Sequence, residues 1–130
     1  MTAVLRVTLA LGGAIDAYVA VLALFAQGLI EPLLDLPVRD PALTSIVGGE
    51  FAVVACVYAV AFRDPQRRPA LLWICALDQL AAVILPALAI AHGQIPATFK
   101  TVGPIPLQAV MALILAAGAV RAVPARNAVA

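Results

Sequence analysis

Three carboxyl side chains lie within long apolar stretches of this 130-residue chain: Asp16, Glu50 and Asp78. A carboxyl group is costly to bury in such surroundings and usually faces a helix-bundle interior or a wet cavity. No stretch has a lysine or arginine in its interior to pair with them, so desolvation favours the neutral form of each group. These residues are therefore the first candidates for chemistry.

Four neighbouring polar side chains are candidates for the same network: Tyr18, Tyr58, Gln79 and Gln108. Two interpretations stay open. In the structural one, each protonated carboxyl bonds across helices and contributes roughly 0.5–2 kcal/mol to the bundle. In the functional one, the carboxyl groups accept and release a proton or cation, or bind a polar group of a ligand.

The spacing of these carboxyl groups from arginine residues predicts their depth. Asp16 and Asp78 each lie ten residues after an arginine, and Glu50 lies thirteen residues before one. With a helical rise of ~1.5 Å per residue, the depths are roughly 15 Å and 20 Å. We therefore expect all three in one layer near mid-membrane. The matching contexts of Asp16 and Asp78 also suggest a parallel internal repeat of a two-helix unit.

The composition of the chain sets its environment. Its residues are 65% hydrophobic and 12% charged, against about 45–50% and 25% in soluble domains. The mean hydropathy is +1.08, and so short a chain cannot cover that much apolar surface in water. We predict an integral membrane protein. The net charge of +1 gives no strong field for nucleic acid, so none is expected as a partner.

Four apolar stretches are long enough to cross a bilayer, which takes about 20 residues of helix. They are too long and too continuous for barrel strands. The predicted fold is all-α, a single domain over 1–130 forming an up-and-down antiparallel bundle of four membrane helices. The helices are predicted at about 4–30, 43–62, 70–92 and 105–122. Prolines in the connectors, such as Pro37 and Pro41, mark the breaks.

Basic residues predict the orientation of the bundle. Six arginines fall at the N-terminus, in the turn between the second and third helices and in the C-terminal region: Arg6, Arg63, Arg67, Arg68, Arg121 and Arg126. The other two connectors carry only Arg39 and Lys100. Both termini and the arginine-rich turn are therefore expected in the cytoplasm, and the protein in the inner (cytoplasmic) membrane of a bacterium.

Motifs for catalysis and cofactor binding do not occur in the sequence. There is no P-loop, HExxH, GxSxG, kinase or Rossmann pattern. Cys56 and Cys75 form no CxxC pair, and His92 is the only histidine, which disfavours zinc or bis-histidine haem. We predict a protein that is not an enzyme and has no metal or cofactor.

The second helix carries a short family motif. Gly48, Gly49 and Glu50 enter an apolar run that ends at Tyr58 and then Arg63-Asp64-Pro65. This pattern resembles the small four-helix membrane proteins of the DoxX-like group, mainly over the first two helices. The resemblance implies an accessory or subunit role in a membrane complex that is linked to redox or quinone chemistry. Asp78 and the proline-rich connectors have no counterpart in it.

A second comparison concerns the acidic residue of the first helix. Asp16 occupies a place similar to that of the membrane-embedded acidic residue in small multidrug exporters. The long outer connectors and the additional carboxyl groups depart from that pattern. The likeness implies only the general idea of proton exchange at an acidic residue.

The sequence favours a non-catalytic accessory protein or subunit of a larger, redox-linked membrane complex, with a protein partner or a homo-oligomer as its assembly. The alternative is a proton-coupled small-molecule carrier that acts as a homodimer through its membrane-embedded carboxyl groups. A third hypothesis is a lipid- or quinone-like ligand held at a kink caused by Pro86. Neutralising Asp16 or Glu50 separates the first two, because only a carrier loses its activity.

Overall fold

The computed structural model describes residues 2–122, which form helices and connecting turns with no strand among them. The helices are α1 (Thr2–Phe25), α2 (Ile30–Leu34), α3 (Pro41–Arg63), α4 (Pro69–Ala91), α5 (Phe99–Val102) and α6 (Pro104–Arg121), with one 3-10 turn at Gln27–Leu29. Arg126 and the rest of the predicted C-terminal tail lie outside the described residues.

Four helical stretches are long and apolar enough to cross a membrane: α1, α3, α4 and Phe99–Arg121, the last being α5 together with α6. Most large apolar side chains on them face outward, which suits a lipid surrounding and not water. The structure therefore confirms an all-α chain with four candidate membrane helices.

The first helix ends earlier than the sequence suggests. It was predicted to reach residue 30, but α1 ends at Phe25 because Ala26 leaves the helical backbone conformation. The Gln27 amide then donates to the carbonyl of Ala23 at 2.8 Å and to the Ser45 hydroxyl of α3 at 2.9 Å. A side chain thus stabilises the break. The structure places the other three long helices within two residues of their predicted bounds.

The long helices associate in two pairs. α1 packs mainly on α3, and α4 packs mainly on α6, with fewer contacts between the two pairs. Glycine permits the close approach of α1 and α3: a Cβ atom at Gly48 would lie 2.7 Å from the Cβ atom of Ala23. A Cβ atom at Gly12 would likewise lie 2.5 Å from the ring of Tyr58.

The main apolar core lies toward the end of the bundle that carries the turn 64–68. It combines the start of α1, the end of α3, the start of α4 and the end of α6. Its buried members include Leu5, Leu9, Tyr58, Leu72 and Leu115. A smaller cluster around Leu22, Ala23 and Ile30 lies at the opposite end.

The two connectors at that opposite end are joined by a polar cluster of Asp35, Thr98 and Lys100, which we call the connector latch. Lys100 Nζ lies 3.1 Å from Asp35 Oδ1 and donates to the carbonyl of Pro32 at 2.7 Å. The Thr98 hydroxyl donates to Asp35 Oδ2 at 2.7 Å. The hydrogen bond from Thr98, followed by that from Lys100, holds the pKa of Asp35 below its ordinary value. The latch therefore favours the ionised carboxylate.

Candidate functional site

Two of the predicted carboxyl groups meet where the two helix pairs meet. Asp16 of α1 and Asp78 of α4 face each other within hydrogen-bonding reach. Asp16 is only 3% exposed, and Asp78 is half-buried. Two carboxylates in contact repel one another strongly in apolar surroundings, so at least one holds a proton unless a cation enters. Such a pair is chemically able to bind a proton or another cation.

Tyr58 of α3 bridges to the same place. Its hydroxyl lies 2.9 Å from Asp78 Oδ2 and 3.0 Å from the carbonyl oxygen of Cys75, and its single proton serves one of them at a time. Gln79 Nε2 donates to the Tyr58 hydroxyl at 2.8 Å and to Asp78 Oδ2 at 3.3 Å. We call Asp16, Tyr58, Asp78 and Gln79 the carboxyl cluster.

Helical spacing and glycine explain how the chain assembles this cluster. Cys75, Asp78 and Gln79 lie three and four residues apart, so they share one face of α4. The ring of Tyr58 is fully buried and lies against Gly12 and Gly13 of α1, where a side chain would collide with it. The two glycines thus let one aromatic residue of α3 reach between α1 and α4.

Two oxygens of the cluster accept no hydrogen bond from a backbone N–H, an amide or a hydroxyl group. They are Asp16 Oδ2 and Gln79 Oε1, and both are buried. Buried polar atoms are nearly always paired in folded proteins. Each of the two oxygens is therefore an acceptor that a hydrogen-bond donor or a cation would satisfy.

Three predicted site residues lie outside the cluster. Glu50 is exposed on α3, and no hydrogen bond or ion pair is found for it within residues 2–122. Tyr18 is 48% exposed, and Gln108 is half-buried on α6. Glu50 does not join the two aspartates in one network, because its side chain points away from the bundle. The expected common depth of the three carboxyl groups in the membrane stays a prediction.

The predicted topology anchors are all exposed: Arg6, Arg63, Arg67, Arg68 and Arg121. Arg67 Nε lies 3.4 Å from Asp64 Oδ2 within the arginine-rich turn. Their positions at helix ends suit side chains that extend to a membrane surface. His92 is exposed at the end of α4.

A groove of about 450 Å³ runs between α1 and α3. Small residues such as Ala10, Ala17 and Ala59 line it. Pro86, the site of the predicted ligand-binding kink, lies in α4. The groove is therefore not formed by that kink.

The side chains of the described chain offer no group of three or more His, Cys, Asp or Glu that could hold a metal ion. A structural zinc site needs four such ligands and a catalytic one needs three. The ligands available at the carboxyl cluster are instead oxygen atoms.

Sequence reasoning did not anticipate two features. The carbonyl oxygen of Cys75 lies 3.0 Å from the Tyr58 hydroxyl, and a backbone acceptor leaves no sign in the sequence. The connector latch was also missed. Its one signal is the Thr98-x-x-Thr101 spacing, which forms a capping box at the start of α5.

Comparison of the chain with protein-family models, curated proteins and solved structures finds no match. The DoxX-like resemblance therefore stays a prediction that rests on the motif around Glu50. In the structure, Gly48 of this motif faces α1 while Glu50 faces outward.

Proposed function

We propose that this protein is a proton-coupled small-molecule carrier and that the Asp16–Asp78 pair is its proton-binding site. The observation that carries the proposal is the contact between two buried carboxyl groups in a bundle whose membrane helices have no lysine or arginine in their interiors. Structural hydrogen bonding alone needs only one acid and one neutral acceptor. A second acid adds the capacity to exchange charge.

The arrangement of the helices suits a coupling role. Asp16 belongs to the α1–α3 pair and Asp78 to the α4–α6 pair, and contacts between the pairs are few. With a proton bound, the two carboxyl groups hydrogen-bond and hold the pairs together. Loss of that proton leaves two negative charges in contact and favours separation of the pairs. Proton occupancy thereby biases two arrangements of the bundle.

We also propose the up-and-down topology with both termini and the arginine-rich turn in the cytoplasm. Gly12 lies against Tyr58 while Gly48 lies against Ala23, so α1 and α3 meet in opposite directions. The distribution of arginine supports the orientation. The test is a reporter fused to the C-terminus of the chain. Cytoplasmic activity is expected, and activity on the outer side of the membrane would reverse the assignment.

The proton site is tested by infrared difference spectroscopy of the purified full chain in bilayers while pH is changed. The wild type should show a carboxyl C=O band that appears and disappears with pH. Asp16→Asn and Asp78→Asn should each remove it. Glu50→Gln is the matched control, because it neutralises a membrane carboxyl outside the cluster and should keep the band. A band that is constant at every accessible pH would rule out proton exchange by the pair.

The accessory-subunit hypothesis remains a second candidate because of Glu50. An exposed carboxyl in the middle of α3 is costly in lipid, and another protein surface would cover it. Co-purification of the wild type should yield either a stoichiometric partner, which favours the accessory role, or a homodimer, which favours the carrier. Glu50→Leu should disrupt that assembly while Tyr18→Phe keeps it. An assembly that survives Glu50→Leu would show that Glu50 is not part of its interface.

A further inference from the structure

The unpaired oxygens of the carboxyl cluster are both acceptors. Asp16 Oδ2 and Gln79 Oε1 belong to side chains that are 3% and 1% exposed. Such groups need a hydrogen-bond donor or a cation to replace the water they lost on burial. The donors that the cluster itself contains are therefore considered first.

Apart from the acidic proton that the Asp16–Asp78 pair holds, the cluster has no free hydrogen-bond donor. Tyr58 has one proton, which serves the Cys75 carbonyl or Asp78. The Gln79 amide group has two, and Nε2 already lies against the Tyr58 hydroxyl and Asp78 Oδ2. Rotating this amide would bring Oε1 against a carboxylate oxygen, so the hydrogen bonds fix its orientation. What remains at the site is the acidic proton of the pair and a set of oxygen atoms.

Carboxylate and amide oxygens are ligands for hard cations. The sequence offers no lysine or arginine in the middle of a membrane helix, and the described residues hold no larger acidic cluster suited to a divalent ion. Two carboxylates carry two negative charges, which one monovalent cation and one proton neutralise together. A divalent ion would neutralise them too, but only if both carboxyl groups gave up their protons in apolar surroundings, and it takes six or more oxygen ligands. A small monovalent cation needs only one ionised carboxyl group and is therefore favoured.

We propose that the carboxyl cluster is a Na⁺ site in which Asp16 Oδ2 and Gln79 Oε1 are ligands. The inference deepens the proposed function, since Na⁺ and the proton use the same carboxyl pair. When Na⁺ binds, one carboxylic acid gives up its proton to water and becomes the carboxylate that ligates the ion. One cation enters, one proton leaves, and the net charge of the site is unchanged.

The experiment uses the purified full chain in detergent micelles. NaCl replaces choline chloride at constant ionic strength, and two quantities are followed: thermal unfolding, and proton release into weakly buffered solution with a pH indicator. Na⁺ should raise the unfolding temperature in a saturable way and release protons over the same concentration range. Choline chloride alone should do neither.

Two variants locate the effect. Asp16→Asn keeps the size of the side chain and one carbonyl oxygen but removes the charge, so it should abolish both Na⁺ responses. Glu50→Gln removes the same charge from an exposed position and should keep both. Should Asp16→Asn fail to fold, the absence of Na⁺-dependent proton release in the wild type would still overturn the Na⁺ site.

The outcomes separate the two proposals. A pair that changes protonation with pH but ignores Na⁺ would overturn the Na⁺ site and leave the proton site standing, with a bound water as the partner of the two oxygens. A pair that responds to neither would overturn both proposals. Na⁺ responses that persist in folded Asp16→Asn would place the ion elsewhere and overturn the assignment to this cluster.

Discussion

The hydroxyl group of Tyr58 is a single polar group on α3 that bonds to α4. Tyr58→Phe removes it while keeping the ring that fills the space beside Gly12, and Gln79 Nε2 loses an acceptor. We expect the free energy of unfolding to fall by roughly 0.6–2 kcal/mol, the range for hydrogen bonds between membrane helices. Equilibrium unfolding in mixed micelles with increasing sodium dodecyl sulfate measures it.

Tyr18→Phe is the matched control for this prediction. Tyr18 is 48% exposed on α1 and makes no hydrogen bond within the described chain. Loss of the Tyr18 hydroxyl group should change the free energy of unfolding by less than about 0.5 kcal/mol. Equal effects of the two substitutions would mean that the Tyr58 hydroxyl does not stabilise the junction of the helix pairs.

The residues of the site were predictable, but their orientation was not. Acidic and amide side chains stand out in an apolar sequence, so Asp16, Asp78, Tyr58 and Gln79 were identified from sequence alone. Glu50 stood out equally, yet it faces outward. The depth of a residue in the membrane can be predicted by counting residues along a helix. The direction in which its side chain points can be predicted only when the buried face of the helix differs in polarity from the exposed face. Lipid and protein interior are both apolar, so that difference is weak here.

Adjacent glycines of α3 have different surroundings, and this gives a prediction for the α1–α3 pair. A Cβ atom at Gly48 would lie 2.7 Å from Ala23 Cβ and 3.3 Å from its backbone carbonyl carbon, which cannot move without moving α1. We expect Gly48→Ala to destabilise the protein by about 1–3 kcal/mol, the usual cost of overpacking. Unfolding in the same mixed micelles measures the change.

Gly49→Ala is the control on the neighbouring residue. A Cβ atom there has no atom within 4 Å, and alanine favours a helix over glycine by up to ~1 kcal/mol. The two substitutions should therefore have opposite signs in an isolated chain. Destabilisation by Gly49→Ala would indicate instead that another helix packs against this face.

The long helices were predictable because apolar length and proline mark them without tertiary information. The end of α1 was not, since Ala26 and Gln27 are ordinary helix residues. The break depends on hydrogen bonds that Gln27 makes to Pro41 and Ser45, far along the chain. The connector latch depends in the same way on Asp35 meeting Thr98 and Lys100, more than sixty residues later.

The connector latch joins distant parts of the chain, and it predicts that the stability of the connectors depends on pH. The pKa of Asp35 is lowered by Thr98 and Lys100, so the ionised form is favoured in the folded chain. Its contribution to stability is fully present above the unfolded value of about 3.9 and is lost as pH falls through the lower folded value. The protection of the backbone amides of residues 94–103 against hydrogen exchange, taken relative to the intrinsic exchange rate at each pH, should therefore fall in strong acid.

Asp35→Asn is the informative variant because asparagine also tolerates the left-handed backbone found at this residue, with φ of 55°. The variant should exchange faster than the wild type at neutral pH and show no acid-dependent step of its own. A wild-type profile that matches Asp35→Asn at every pH would mean that the carboxylate does not hold the connectors together.

The pairing of the long helices has a consequence for biosynthesis. α1 and α3 are consecutive spans, so their glycine-mediated contact can form while the ribosome is still translating the second half of the chain. Asp16 enters the bilayer at that stage, whereas Asp78 and Gln79 arrive only with the third span. The early hairpin must therefore shelter an acid that has no partner. A pause in translation between α3 and α4 should prolong the life of the chain that has only its first two spans inserted, and it should thereby increase degradation of that chain by membrane proteases.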